Sequence, residues 1–343
     1  MFPESPINVA VVGAGAFGRN HARVYRQLEQ AGEPVRLAAI ADLDAARATA
    51  LARESGPKVI AFSNIGELIA RGSIQAASVA VPTVAHLEVA ARLMAAGIDV
   101  LIEKPLAATL ADADQLISLA KQHDRIAQVG HLERFNPAVQ ATLPLITRPM
   151  FFEVHRLSVF SPRSLDIDVV LDLMIHDLDV VLAMVNSPLK GVHAVGLPIL
   201  SRQVDIANVR MEFESGCVAN FTASRVSTEK VRKLRFFQPR QYVSVDYSRQ
   251  DVLVFTVVPD AGATGAAVPG TPGSPIQVLK PEVKTQEPLQ AELRAFVEVV
   301  RRRSRPLVNL EDGRRALAAA LEIQAAMREH SQKVNLNVLG AGN

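Results

Sequence analysis

The sequence predicts two domains, a doubly wound α/β domain over residues 1–130 and an α+β domain over 131–343 built on a large, mostly antiparallel open sheet. Three observations carry this reading. Short apolar runs alternate with helical stretches up to about Gly130, the apolar period switches to two from Phe151 onward, and 343 residues exceed what one core of ordinary size holds.

In chain order, the runs at 7–12, 35–41, 59–62, 77–81, 100–102 and 126–129 are short and mostly apolar, the texture of parallel strands covered on both faces. Amphipathic stretches separate them. Phe17, His21, Val24 and Leu28 share one helical face, and Thr109 with Asp112 three residues later marks a helix start. Beyond Asn136-Pro137 the runs 151–159, 192–199, 206–213, 218–226, 234–237, 242–245 and 252–257 read as antiparallel strands, with Glu214-Ser215-Gly216 as a hairpin turn. One long helix, about 168–185, interrupts them. The stretch 259–275 holds four Gly and four Pro among Ala and Thr and reads as a mobile loop, since strand-like 276–279 follows it. Two closing helices, about 288–303 and 311–329, are free to pack back on the first domain. The sequence contains no internal repeat.

Composition narrows the function. Lys and Arg number 37 against 35 Asp and Glu, a net charge of +2 without a block of either sign, which disfavours nucleic acid or an anionic membrane as partner. The longest apolar runs fall short of the ~18–20 residues of a membrane span. A single cysteine, Cys217, excludes an intrachain disulfide and a cysteine zinc site. His131, His155, His176 and His193 lack ligand spacing, so no metal is expected. Arg301-Arg302-Arg303 with Arg305 closes a helix, where cations complement the dipole. No basic-then-apolar leader precedes Ile7, and a cytoplasmic location is expected.

The chemistry begins at Gly13-Ala14-Gly15-Ala16-Phe17-Gly18, a GxGxxG between the first strand and helix. Gly13 permits the tight turn, Gly15 leaves room for a pyrophosphate, Gly18 lets helix and strand close up, and the helix amino terminus at Ala16 and Phe17 faces the phosphates. Asp42 ends the second strand, 24 residues after Gly18, where a carboxylate bonds a ribose diol and repels a 2′-phosphate. NAD is therefore preferred over NADP, with Arg47 near enough to bear on the choice. The bland alternative is a plain turn with Asp42 capping the next helix. Pro82, Thr83 and His86 follow the fourth strand, near where a nicotinamide ribose lies. Glu103 and Lys104 end the fifth strand, where open α/β sheets bind ligands, and a lysine there can reach a substrate hydroxyl.

Asp172 and His176 are four apart, so they share a helix face from which Asp177 points away by about 100°. A carboxylate beside an imidazole fixes its tautomer and suits it to accept a proton from an alcohol. A lone pair of this kind is more often a satisfied structural histidine; Lys104 and the glycine turn tip the reading to catalysis.

These segments together resemble the Gfo/Idh/MocA oxidoreductases: the GxGxxG turn, Pro82-Thr83 with His86, Glu103-Lys104-Pro105, the helix of Asp172 and His176, and Glu311-Asp312-Gly313. The resemblance implies a Rossmann domain, an open-sheet second domain, nicotinamide-dependent oxidation or reduction of a sugar or cyclitol, and assembly as a homodimer or homotetramer through the sheet. Within the family, 129–139 and 168–177 resemble the UDP-N-acetylglucosamine 3-dehydrogenase branch, although Val169-Val170-Leu171 stands where many members carry glycines. That likeness implies NAD-dependent oxidation of the 3-hydroxyl, with His176 as base, Asp172 as its orienting partner and Lys104 as donor to the oxygen, the roles of Lys104 and His176 being exchangeable. His131, Arg134 and Asn136 line the cleft in this reading, Arg163 and Arg232 meet the diphosphate, and an aminotransferase consumes the product. The cations at 230–235 equally suit a guarded sheet edge. A free sugar or inositol substrate, or a non-catalytic dinucleotide-dependent regulator, are the alternatives.

Overall fold

The computed structural model describes residues 5–71, 73–161, 167–257 and 275–335. Two compact units divide the chain: Met1–Phe135 with Gln286–Leu317, and Asn136–Thr285 with Ala318–Asn343. The first begins β1 (Ile7–Val12), α1 (Ala16–Gln30), β2 (Val35–Ala41), α2 (Ala45–Ser55), β3 (Ile60–Phe62), α3 (Ile65–Ala70) and β4 (Ala76–Val79). It continues through α4 (His86–Ala95), β5 (Asp99–Glu103), α5 (Leu110–Gln122) and β6 (Ala127–Gly130). All pairings are parallel in the order β3-β2-β1-β4-β5-β6, so the order reverses between β1 and β4 and a ligand crevice opens beyond their carboxyl ends. Thr109 caps α5 by accepting the Asp112 amide at 3.1 Å, as its spacing predicts.

The second unit holds α6 (Pro137–Thr142), β7 (Phe151–Val159), α7 (Ile175–Val185), β8 (Leu189–Leu197), β9 (Ile206–Phe213), β10 (Val218–Ser227), β11 (Val231–Gln238), β12 (Gln241–Asp246), β13 (Asp251–Val257) and β14 (Ile276–Leu279). Its sheet runs β14-β13-β12-β11-β7-β10-β9-β8, antiparallel everywhere except between β7 and β10. Gly216 turns the β9–β10 hairpin at φ +83°. One face buries Phe152, Val154, Leu234, Phe236, Val243 and Val254. On the other, Phe151, Phe237, Tyr242 and Phe255 are register partners across four strands and stack with centroids 5.6, 4.9 and 5.4 Å apart. The glycine- and proline-rich stretch lies, up to residue 274, outside the described residues.

The helix expected at 168–185 is not uniform. Its first turn, Val170–Met174, is π-helical, closed by the Ile175 amide bonding the Val170 carbonyl five residues back, and only then does α7 begin. Two further helices close the chain, α8 (Pro288–Arg302) and α9 (Leu310–Lys333). Leu293, Phe296, Val297 and Val300 of α8 share one core with Val24, Tyr25 and Leu28 of α1 and with Val9, Leu37 and Ile40 of the sheet. The start of α9 is capped reciprocally, Asn309 Oδ1 accepting the Asp312 amide and Asp312 Oδ2 the Asn309 amide. Its later turns belong to the second unit, where Met327 packs so closely on Gly196 that a Cβ there would stand 2.4 Å from its sulfur. Among the described residues no helix is long and apolar enough to cross a membrane.

Candidate active site

Gly13 leaves β1 at φ +101°, its amide donating to the Ala41 carbonyl at 2.7 Å. A Cβ there would lie 2.4 Å from the Ala80 carbonyl oxygen, so the turn presses against the segment leaving β4, where strand order reverses. A Cβ on Gly18 would meet the Gly13 carbonyl oxygen at 1.7 Å. Gly15 differs, because a Cβ there would meet nothing within 4 Å. The protein's own atoms do not demand glycine at 15, whereas a pyrophosphate laid along the backbone does. Ala16 opens α1, and Phe17 is 51% exposed rather than part of the apolar face, because the buried stripe of α1 starts at Gly18.

Asp42 completes the turn. Its Oδ2 accepts the Ala14 amide at 2.7 Å and its Oδ1 the Asp44 amide at 2.8 Å, so the carboxylate is aimed by backbone. Asp44, not Asp42, caps α2, and it also takes the Arg47 guanidinium at 2.8 Å. The open cradle at Gly15 and the fixed acceptor at Asp42 fit a dinucleotide.

Beyond β4, Pro82 is exposed and Thr83 half-buried in a short 3-10 turn, while His86 lies inside. Its Nε2 is 3.0 Å from the Val81 carbonyl, and its Nδ1 is 3.1 and 3.2 Å from the Pro105 and Leu106 carbonyls. Burial lowers its pKa, with those carbonyls and Glu103 opposing. Lys104 follows β5 and is the only residue of 98–107 that is not buried; its peptide to Pro105 is cis. Glu103 is turned inward: Oε1 meets His21 Nε2 at 2.7 Å and Oε2 accepts the Lys104 amide at 3.2 Å. Burial works to raise the Glu103 pKa, yet the bond and charge of His21, with Lys104, bring it below its ordinary value.

His131 is fully buried, and burial, reinforced by the charges of Lys104 and Arg134, pushes its pKa down to about 3. The imidazole is thus neutral throughout the physiological range. Arg134 is buried and donates to the Leu307 carbonyl at 3.3 Å. Asn136, in the second unit, caps α6 by accepting the Ala138 amide and donates to the Tyr247 carbonyl, both at 3.1 Å.

Asp172 and His176 are both partly exposed on the π turn and α7, whereas Asp177 faces inward. Asp177 takes Arg156 of β7 through both oxygens at 2.6 and 3.0 Å, and Arg156 also lies over the Tyr247 ring at 5.4 Å. The start of this helix is tied separately. Asp168 Oδ1 accepts the Val170 and Leu171 amides, Asp168 Oδ2 accepts from Gln324, and Arg225 donates to the Ile167 carbonyl at 2.8 Å. Arg225 is itself held by Asp205 at 2.7 Å, whose carboxyl stays well below the usual range: burial opposes this, but Ser201, backbone amides and Arg225 outweigh it.

Arg232 is exposed on β11, opposite the buried Arg156 in the register, and so on the face of the sheet that Arg156 occupies. Because β12 and β7 pair with β11 on both sides, the edge-guarding alternative for these cations falls away. Arg163 lies outside the described residues. Sequence reasoning missed His21 as a partner of Glu103, Arg156 as the anchor of Asp177, and the Asp205–Arg225 pair. The only advance signal was a histidine at a core position of an amphipathic helix.

Residues 7–131 match the oxidoreductase family with the NAD-binding Rossmann fold, GFO_IDH_MocA, and residues 154–241 match its C-terminal domain. UDP-N-acetylglucosamine 3-dehydrogenase of Acidithiobacillus ferrooxidans is 34% identical over 328 residues, 95% of this chain and 99% of that protein. Its crystal structure superposes with a TM-score of 0.83 at 32% identity, covering 94% of this chain and 97% of that one. Inositol 2-dehydrogenase 1 of Saccharopolyspora erythraea is 36% identical but over only 38% of this chain and 39% of its own. With both of its domains matched, this chain belongs to the Gfo/Idh/MocA oxidoreductase family and carries an NAD(P)-binding Rossmann domain.

Proposed function

We infer that the protein oxidises the 3-hydroxyl of UDP-N-acetylglucosamine with NAD, giving the 3-keto sugar nucleotide. The observation that carries this reading is the end-to-end likeness to the Acidithiobacillus enzyme, over 95% of this chain, whereas the likeness to the Saccharopolyspora inositol dehydrogenase covers 38% of it. NAD, held by the turn at Gly13, Gly15 and Gly18 and by Asp42, supplies the hydride acceptor. His176 removes the hydroxyl proton, Asp172 orients its imidazole, and Lys104 donates a hydrogen bond that positions the oxygen and offsets its developing negative charge. Arg232 meets the diphosphate.

The half-exposed aromatic row of Phe151, Phe237, Tyr242 and Phe255, with exposed Val278 beyond it, favours a second copy of the chain against the open sheet face. A keto sugar nucleotide is a ready substrate for an aminotransferase. The test is NADH formation at 340 nm on UDP-N-acetylglucosamine beside free N-acetylglucosamine and myo-inositol, with an aminotransferase added to draw off the ketone. Turnover of the free sugars in preference to the nucleotide overturns the assignment.

A further inference from the structure

Lys104 is constrained from both directions along its own chain. On the amino side, Glu103 cannot swing, because its carboxylate bridges His21 Nε2 at 2.7 Å and the Lys104 amide at 3.2 Å. Its register partner Gly130 packs so closely that a Cβ there would stand 3.1 Å from the Glu103 carboxyl carbon. On the carboxyl side, the Pro105 and Leu106 carbonyls face His86 Nδ1, while Nε2 of the same ring faces the Val81 carbonyl. Both histidines are 1% exposed.

An interior of this size has apolar solutions at both positions, and a buried carboxylate–histidine pair is poor material for stability alone. What the two imidazoles share is the segment they grip. His21 belongs to α1, the helix that opens at the glycine turn, and His86 closes the turn after β4, so each ties Lys104 to an element of the dinucleotide site. His21 Nδ1 is buried with no hydrogen-bond partner in the structure, so Nε2, whose N–H donates to Glu103, is the ring atom that holds the pair.

We propose that His21 and His86 are positioning residues that splint the Lys104 turn, His21 through Glu103 and His86 through the carbonyls after it, so that they set turnover without touching cofactor or substrate. The proposal rests on Lys104 acting at the substrate oxygen. Glu103 and His86 then serve Lys104 from inside the fold, in place of contacting the dinucleotide as their sequence positions imply.

The test compares His21→Leu with His21→Gln, whose side-chain amide nitrogen reaches the place of Nε2. In His21→Leu, kcat should fall about 10²-fold, the loss expected for a misplacement of about 1 Å. KM and NAD affinity should stay within about threefold, and the Lys104 amide should exchange with deuterium faster on fragments spanning 99–107. His21→Gln should recover most of both. His86→Leu should reproduce the same pair of effects from the other side, and it carries the test if His21→Leu does not fold. Wild-type kcat in both leucine variants, or lost kcat with Lys104 exchange unchanged, overturns the splint. So does a loss that appears in NAD affinity alone. Exchange is read without substrate, so a wild type inactive on UDP-N-acetylglucosamine would overturn the substrate reading and leave the splint to be decided by exchange.

Discussion

Asp42 and His131 are each defined by what surrounds one side chain. Asp42 keeps acceptor capacity on a carboxylate already aimed by the Ala14 and Asp44 amides. Asp42→Ala should therefore weaken NAD by about 1.5–3 kcal/mol, roughly 10–150-fold, while NADP loses less because its 2′-phosphate no longer meets a carboxylate. Titration of both cofactors checks this, and a wild type that prefers NADP would contradict the assignment. His131 makes a prediction about pH. Its folded pKa of about 3 lies below the ordinary histidine value near 6.5, so on acidification the unfolded chain takes up a proton that the folded chain refuses. Its contribution is thus constant above about pH 6.5 and turns increasingly unfavourable to folding as pH drops toward 3, by about 2 kcal/mol at pH 5. Urea unfolding of His131→Gln should show a shallower loss of stability between pH 7 and 5 than the wild type. Parallel curves would mean that the group titrates normally.

At the scale of elements, α7 and β11 are where the proposed reaction places its base and its diphosphate contact. The Arg156–Asp177 pair is buried on both sides and anchors α7 to β7. Asp177→Ala strands the guanidinium and should cost about 3–5 kcal/mol, whereas replacing both partners by apolar residues should restore much of it. Urea midpoints of single and double variants measure this, and a neutral Asp177→Ala would remove the anchor. On β11, Arg232→Ala should raise the Michaelis constant for UDP-N-acetylglucosamine on the order of tenfold or more and leave that for sugars without a diphosphate alone. An unaltered constant takes Arg232 out of the site. Most strands were legible because each period is local: mostly apolar runs in β1 and β2, apolar–polar alternation along 208–213 of β9. The candidate site residues stand out as motifs, but their partners do not. Glu103 meets a histidine 82 positions away, and nothing local marks that distance. The π turn before α7 is a choice between carbonyls four and five residues back, which leaves no residue signature. Alternating Lys and Arg look alike on an edge and an interior strand, and only the sheet order separates them.

At the scale of the whole molecule, the shared core of α1 and α8 has a consequence for how the protein is made. Residues 1–135 contain every strand of the first sheet, yet the layer over α1 that includes Phe296 and Val300 comes from 286–317. A fragment ending at Phe135 should therefore bind hydrophobic dyes and lack a cooperative melt, and a 286–317 peptide should restore one; cooperative unfolding of the fragment alone would refute this. In the cell the chain emerges from its amino terminus, so α1 waits for α8 while all the strands of the second sheet are synthesised. At bacterial or eukaryotic elongation rates that wait is on the order of ten seconds. The unit that begins the chain cannot close until most of the second has been made, and until then the nascent polypeptide trails an apolar stripe on α1 that a ribosome-associated chaperone is suited to cover.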